Sequence, residues 1–235
     1  MEKGEVRKLI WVGVFAVAMA FVEAMIVYYL RKLYYPNNIL FPLNTGMPSE
    51  VLALEWVREA CTIIMLLGIA VLAGKKFQEK FAYFIYSFAV WDIFYYIWLK
   101  VSLNWPASLM DWDVLFLIPV TWVSPVLAPV LVSLTMIALA ILILKFPKEK
   151  INRREWTLLI FACFLVYLSF IWDYSQLILK KGFLAKFAEL AIDPALITEV
   201  AQYTPTFYHW ELLLFGEFMA ILALYLFYNR AKKHS

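Results

Sequence analysis

Glu55, Glu59 and Thr62 recur at i, i+4 and i+7 within one apolar stretch, which aligns them on one helical face with Arg58 one residue aside. Two carboxylates a turn apart can share a proton, pair with the arginine or chelate a cation. A second pattern is the dipeptide Trp-Asp, at Trp91-Asp92, Trp112-Asp113 and Trp172-Asp173, with Trp210-Glu211 as a related pair. An indole beside a carboxylate at the end of an apolar stretch reads as an interfacial anchor, which accounts for the pairs at 112, 172 and 210. Trp91-Asp92 lies about two turns inside its stretch and resists that explanation. Asp92 shares its face with Tyr95 and Tyr96, whose hydroxyls can hydrogen-bond a buried carboxylate.

Further acids occupy similar depths. Glu23 adjoins a stripe of Ala16, Ala20 and Ala24, small residues that permit close helix approach. Glu217 is flanked by Gly216 and Ala220, and Ser169, Asp173 and Gln176 form a further polar face. For each of these the plainer account is a packing seam with one satisfied acid, and for Arg58 with a neighbouring Glu it is an ion-paired helix entrance. Intramembrane carboxylates are costly, however, and gathering them from several helices makes a site the default expectation.

The chemistry such a site supports follows from the residue types. A carboxylic acid removed from water holds its proton more tightly, so one member of a cluster can act as acid while a neighbour stays ionised as base. Asp92 with Glu55 or Glu59 is the expected catalytic set. Glu23, Arg58, Trp91, Tyr95, Tyr96 and Asp173 are the expected substrate-binding residues. If a metal is held, Glu55, Glu59, Asp92 and Glu217 supply oxygen ligands suited to Mg, Mn or Ca. His209 is the one histidine near the apolar stretches, because His234 belongs to the basic tail. Haem held by two histidines, His-rich iron sites and zinc sites of the His or Cys type therefore lack their ligands. No Gly-rich phosphate loop and no Gly-x-Ser-x-Gly occurs. Asp111-Trp-Asp113 is the nearest approach to an Asp-rich pair, and on a helix that spacing would splay the two side chains.

The elements that must position these groups are membrane spans. Of 235 residues, 64% are hydrophobic, and the mean hydropathy is +0.75, well above soluble domains. The reading is an all-α integral membrane protein, one domain over 1–235, with six transmembrane helices at 9–30, 50–73, 79–100, 113–145, 156–179 and 207–229. The first is read as a retained span, although Lys3, Arg7 and Lys8 before an apolar run also resemble a signal peptide. The fourth is too long for one crossing and carries Pro119, Pro125 and Pro129. A helix broken or kinked at the prolines is expected, with 113–121 interfacial or re-entrant and the crossing running from about 123. Cys61 and Cys163 read as small buried apolar residues.

Alternate loops hold fourteen and six Lys and Arg, which places both termini in the cytoplasm. Glu23, Glu55, Glu59, Asp92, Asp113, Asp173, Glu211 and Glu217 then fall toward the outer side. The longer loops, 31–49 and 180–206, would roof that half as lids or interfacial segments. The net charge of +3 reports topology and contact with lipid headgroups, not nucleic-acid binding. Three functional classes fit. The first is an enzyme acting on a lipid or lipid-soluble molecule through carboxylates or a carboxylate-held cation. The second is a non-catalytic subunit or assembly factor that uses its acids to hold a membrane protein partner. The third is a small proton or cation transporter, disfavoured by the apolar cytoplasmic half.

Overall fold

A computed structural model describes residues 3–35, 40–43, 47–180 and 202–234. Its helices are α1 (Lys3–Tyr34), α2 (Ser49–Ala73), α3 (Phe77–Leu103), α4 (Leu127–Lys145), α5 (Arg153–Lys180) and α6 (Trp210–Lys233). All six are long and apolar enough to cross a membrane, which makes the chain a multi-pass membrane protein in contact with the bilayer. Most of the 180–206 loop, expected as a lid, lies outside the described residues.

Local chemistry sets the helix ends. Glu79 accepts the backbone N–H groups of Lys75 and Lys76 at 2.8 and 3.4 Å, fastening the start of α3. Asn104 ends that helix in the left-handed conformation, φ 54°. Between α2 and α3 the chain turns so tightly that a Cβ on Gly74 would sit 2.5 Å from the Lys80 nitrogen, so glycine is required there. At α5, Asn152 and Glu155 exchange side-chain-to-backbone bonds of 2.8 and 2.9 Å, a reciprocal cap.

Helix α3 is the least apolar of the six, and half of its most apolar window is buried, so it forms the centre of the bundle. It packs on α1, α2 and α4, while α5 and α6 pair with each other and reach the rest through α4 and a hairpin. Ala16, Ala20 and Ala24 are fully buried in the α1–α3 seam, as their spacing predicts. Gly216 serves the α5–α6 seam, where a Cβ would come within 2.9 Å of Val166. One apolar cluster joins Val12, Tyr83, Ile143, Ile151 and Ala231, which puts both chain ends at the same end of the bundle. There Arg230 reaches Glu149 and Glu155 at 2.7 and 2.9 Å, binding the end of α6 to the start of α5.

At the opposite end the stretch expected as a broken helix is an antiparallel hairpin, β1 (Trp112–Phe116) and β2 (Trp122–Pro125). Val114, Val120, Thr121 and Val123 among aromatic residues favour extended backbone. The prolines fit the change: Pro119 lies in the connection, Pro125 ends a strand, and Pro129 sits in the first turn of α4, where its missing N–H costs nothing. The crossing is left to the 19 residues of α4, a rod of roughly 28 Å. Bonds from Val126 N to Asp111 O (3.0 Å) and Leu127 N to Leu109 O (2.8 Å) extend the pairing beyond the strands, satisfying backbone that a helix would otherwise satisfy internally. The expectation for the cysteines is also corrected: Cys61 and Cys163 are exposed on outer helix surfaces, as free thiols facing away from the bundle.

Candidate functional site

The hairpin closes one end of a cavity of about 880 Å³ whose walls come from α1, α2, α3, the hairpin and α5. Glu23, Glu55, Arg58, Glu59, Trp91, Asp92, Tyr95 and Tyr96 all line it, so faces of three helices that the sequence leaves separate converge here. Leu30, Leu43, Val114, Leu115, Val120 and Ile178 supply apolar wall between them.

The α2 residues divide by direction. Arg58 donates through Nη1 to Glu23 on α1, and through Nε and Nη2 to Glu55 at 3.0 and 2.9 Å. Thr62 donates to the second Glu23 oxygen at 2.5 Å. Arg58 thus bridges two carboxylates, and α1 is tied to α2 by a charge-assisted network. Glu59, one turn from Glu55, is not part of it. Both of its oxygens accept the Leu117 N–H, at 3.1 and 2.9 Å, so Glu59 holds the tip of the hairpin against α2. Replacing Glu59 by alanine is expected to free that amide: hydrogen exchange should quicken at Leu117 while Val114, inside the strand pairing, stays protected. Glutamine, which keeps an acceptor oxygen, should restore most of the protection.

Asp92 lies on the central helix and accepts one hydrogen bond, from Ser133 on α4 at 2.8 Å. Among the described residues this is its one hydrogen-bond partner, so the expected bonds from Tyr95 and Tyr96 give way to a serine from another helix. The two tyrosines serve as wall. Tyr95 stacks on Trp91 with centroids 6.2 Å apart and meets Tyr96 edge-on at 5.2 Å. Trp91 also contacts Phe116 of the hairpin at 6.2 Å.

Two expected site residues stand elsewhere. Asp173 accepts the Tyr203 hydroxyl at 2.7 Å and Glu217 accepts the Thr135 hydroxyl at 2.5 Å; neither lines the cavity. Glu217 is thereby separated from the other three carboxylates of the expected metal set. No group of three or more His, Cys, Asp or Glu side chains converges as a metal would need among the described residues. Glu211, paired with His209 at 2.5 Å, is exposed, as an interfacial anchor would be.

Arg31, one of the six basic residues expected in the outer loops, is instead a wall residue: its side chain is 2% exposed, donates to Asp113 at 3.1 Å and lies over the Trp105 ring at 3.7 Å from its centroid. Both Arg31 and Asp113 line the cavity. Burial raises the Asp113 carboxyl to about 6, with the Arg31 cation pulling it back down. Asp111, its neighbour in the Asp-x-Asp spacing, instead accepts the Ala107 N–H at 2.7 Å. The signal for Arg31 was present: it stands seven residues after Ala24 and so continues the buried alanine stripe of α1.

Compared with known protein families, with characterised proteins and with solved structures, the chain has no match.

Proposed function

We propose that the cavity is the chamber of a membrane enzyme, which receives the polar end of a lipid or lipid-soluble molecule and moves a proton on it through Asp92. One observation carries this reading. Of the acids expected to be catalytic, Glu55 is held by Arg58 and Glu59 by the Leu117 amide, whereas Asp92 meets the cavity with a single serine hydrogen bond. A carboxyl group with a free oxygen in a largely apolar chamber has the reach and the environment of a general acid or base. Glu55 and Glu59 then position walls, and Trp91, Tyr95 and Tyr96 enclose the reacting end of the substrate.

The rim supports a lipid-soluble substrate. Leu52 and Trp56 of α2 line the cavity and are also 39% and 49% exposed, so the mouth borders the flank of α2 that faces hydrocarbon. An amphiphile can enter from that side without crossing water. With the basic loops cytoplasmic, this chamber belongs to the extracytoplasmic half.

Protein purified from its native membrane in mild detergent should retain an amphiphile in near-stoichiometric amount, identified by mass spectrometry of the organic extract. Val120→Trp, which fills the wall beside the hairpin tip, is expected to lose it. Equal retention by wild type and Val120→Trp would refute the chamber.

A second reading, an assembly subunit, draws on the internal pairing of Glu23, Glu55, Glu59 and Asp113. Charges satisfied within the chain hold a scaffold together as well as they hold a site. Recovery of a fixed-stoichiometry complex under gentle solubilisation, with an empty cavity, would favour it.

A further inference from the structure

We infer that Arg31 is an oxyanion-binding group of this cavity, built to take a phosphate- or carboxylate-type headgroup. The inference rests on the chamber reading above and names the class of amphiphile.

A buried guanidinium is costly unless its donors are used. Arg31 is 2% exposed and spends Nη2 on Asp113, while Nε and Nη1 have no partner among the described residues. Arg58, the other guanidinium of the cavity, differs in this respect, since Nε, Nη1 and Nη2 are all engaged by Glu23 and Glu55. One cation is therefore committed to the scaffold and the other is partly open. Among the described residues Oδ2 of Asp113, beside Arg31, is likewise buried and unpartnered, and the indole Nε1 of Trp91 is a buried unpartnered donor elsewhere in the wall.

The open atoms of Arg31 and Asp113, set side by side by the Nη2–Oδ1 bond, have a chemical complement: two donors and one acceptor. A phosphate monoester carrying one proton, or a carboxylic acid sharing its proton with Asp113, offers acceptor oxygens to the donors and an O–H to Oδ2. A quaternary ammonium headgroup could not use the guanidinium. Arg31 is also held as a recognition residue would be. Trp105 supports one face of its plane and Asp113 fixes one edge, leaving a rigid planar donor set of the kind that suits oxyanions.

The test is thermal unfolding of the full-length protein in dodecyl maltoside, titrated with dodecyl phosphate and separately with inorganic phosphate. Wild type should be stabilised by dodecyl phosphate, and Arg31→Gln should bind it at least about tenfold more weakly. Asp113→Asn leaves the Arg31 charge without its carboxylate. That variant should be less stable than wild type when empty, and should gain more from the phosphate probe than wild type does. Stabilisation by dodecyl phosphate alone identifies an anionic amphiphile; an equal, Arg31-dependent effect of inorganic phosphate identifies a free anion on the same group. Undiminished binding by Arg31→Gln overturns the assignment. Should Arg31→Gln fail to fold, an Asp113→Asn protein that gains no more than wild type overturns it as well. If a tail binds equally well with an uncharged headgroup and regardless of Arg31, the chamber stands and the headgroup assignment falls. If inorganic phosphate binds through Arg31 while no amphiphile binds, the chamber falls and the anion site stands.

Discussion

Arg58→Met is expected to destabilise the protein by about 3–5 kcal/mol, because it strands two carboxylates that one guanidinium now serves. Glu23 and Glu55 have side-chain exposures of 4% and 12%, so bulk water makes up little of the lost pairing. Their mutual repulsion adds to the penalty. Thermal or denaturant unfolding in a fixed detergent measures the effect, and two comparisons give it meaning. Adding Glu23→Gln to Arg58→Met should recover a large part of the loss, since a neutral amide can still accept from Thr62 without carrying an unpaired charge. Lys8→Ala, which removes a similar-looking pair with Glu5 at 2.8 Å but at 36% and 29% exposure, should cost no more than about 1 kcal/mol. Equal losses for the two sites would mean that the α1–α2 network is as wet as the surface pair and does not hold the helices together.

That network also marks where the sequence is readable and where it is not. The six crossings are legible because each is a local property of about twenty apolar residues, and the alanine stripe of α1 is legible because its period matches a helix. Arg58 beside Glu55 is local too, three residues apart on one helix. What cannot be read locally is the choice of partner across the bundle. Glu59 pairs with a backbone amide 58 residues away, and Arg31 with an aspartate 82 residues away. Both partners lie on or beside the hairpin, so both depend on the one element misjudged from sequence. Apolar residues around three prolines suggest a kinked or broken span, with 113–121 interfacial or re-entrant, when hydropathy is the main guide. Its strands are five and four residues long, too short for a two-residue alternation to stand out against continuous apolar sequence. Asp113, expected as part of an interfacial anchor, accordingly belongs to the cavity wall. The exposed cysteines teach the complementary point: in a bilayer, an apolar helix position carries no signal that distinguishes lipid from protein interior.

Asp92→Asn should abolish turnover while leaving the fold and the bound amphiphile in place. Asparagine has the same shape as aspartate and can accept the Ser133 hydrogen bond through its amide oxygen, so the α3–α4 contact at 2.8 Å survives. It cannot take up and return a proton, and the loss of a positioned acid or base lowers rates by about 10²–10⁴-fold. The decisive readout is the identity of the retained molecule. Wild type, cycling in its membrane, should carry a mixture of substrate and product; Asp92→Asn should carry unconverted substrate, so that one of the two species, separated by chromatography and identified by mass spectrometry, is missing from its extract. Glu55→Gln is the matched control. Its carboxylate already serves Arg58, so the substitution should lower stability more than it changes the mass spectrum of the extract. The same amphiphile in the same proportion from all three proteins would remove Asp92 from the chemistry and leave the cavity as a lipid-binding element of a scaffold. A wild-type extract richer in the converted species, with Glu55→Gln resembling wild type, would place proton transfer on Asp92 and confine the neighbouring acids to holding the chamber walls.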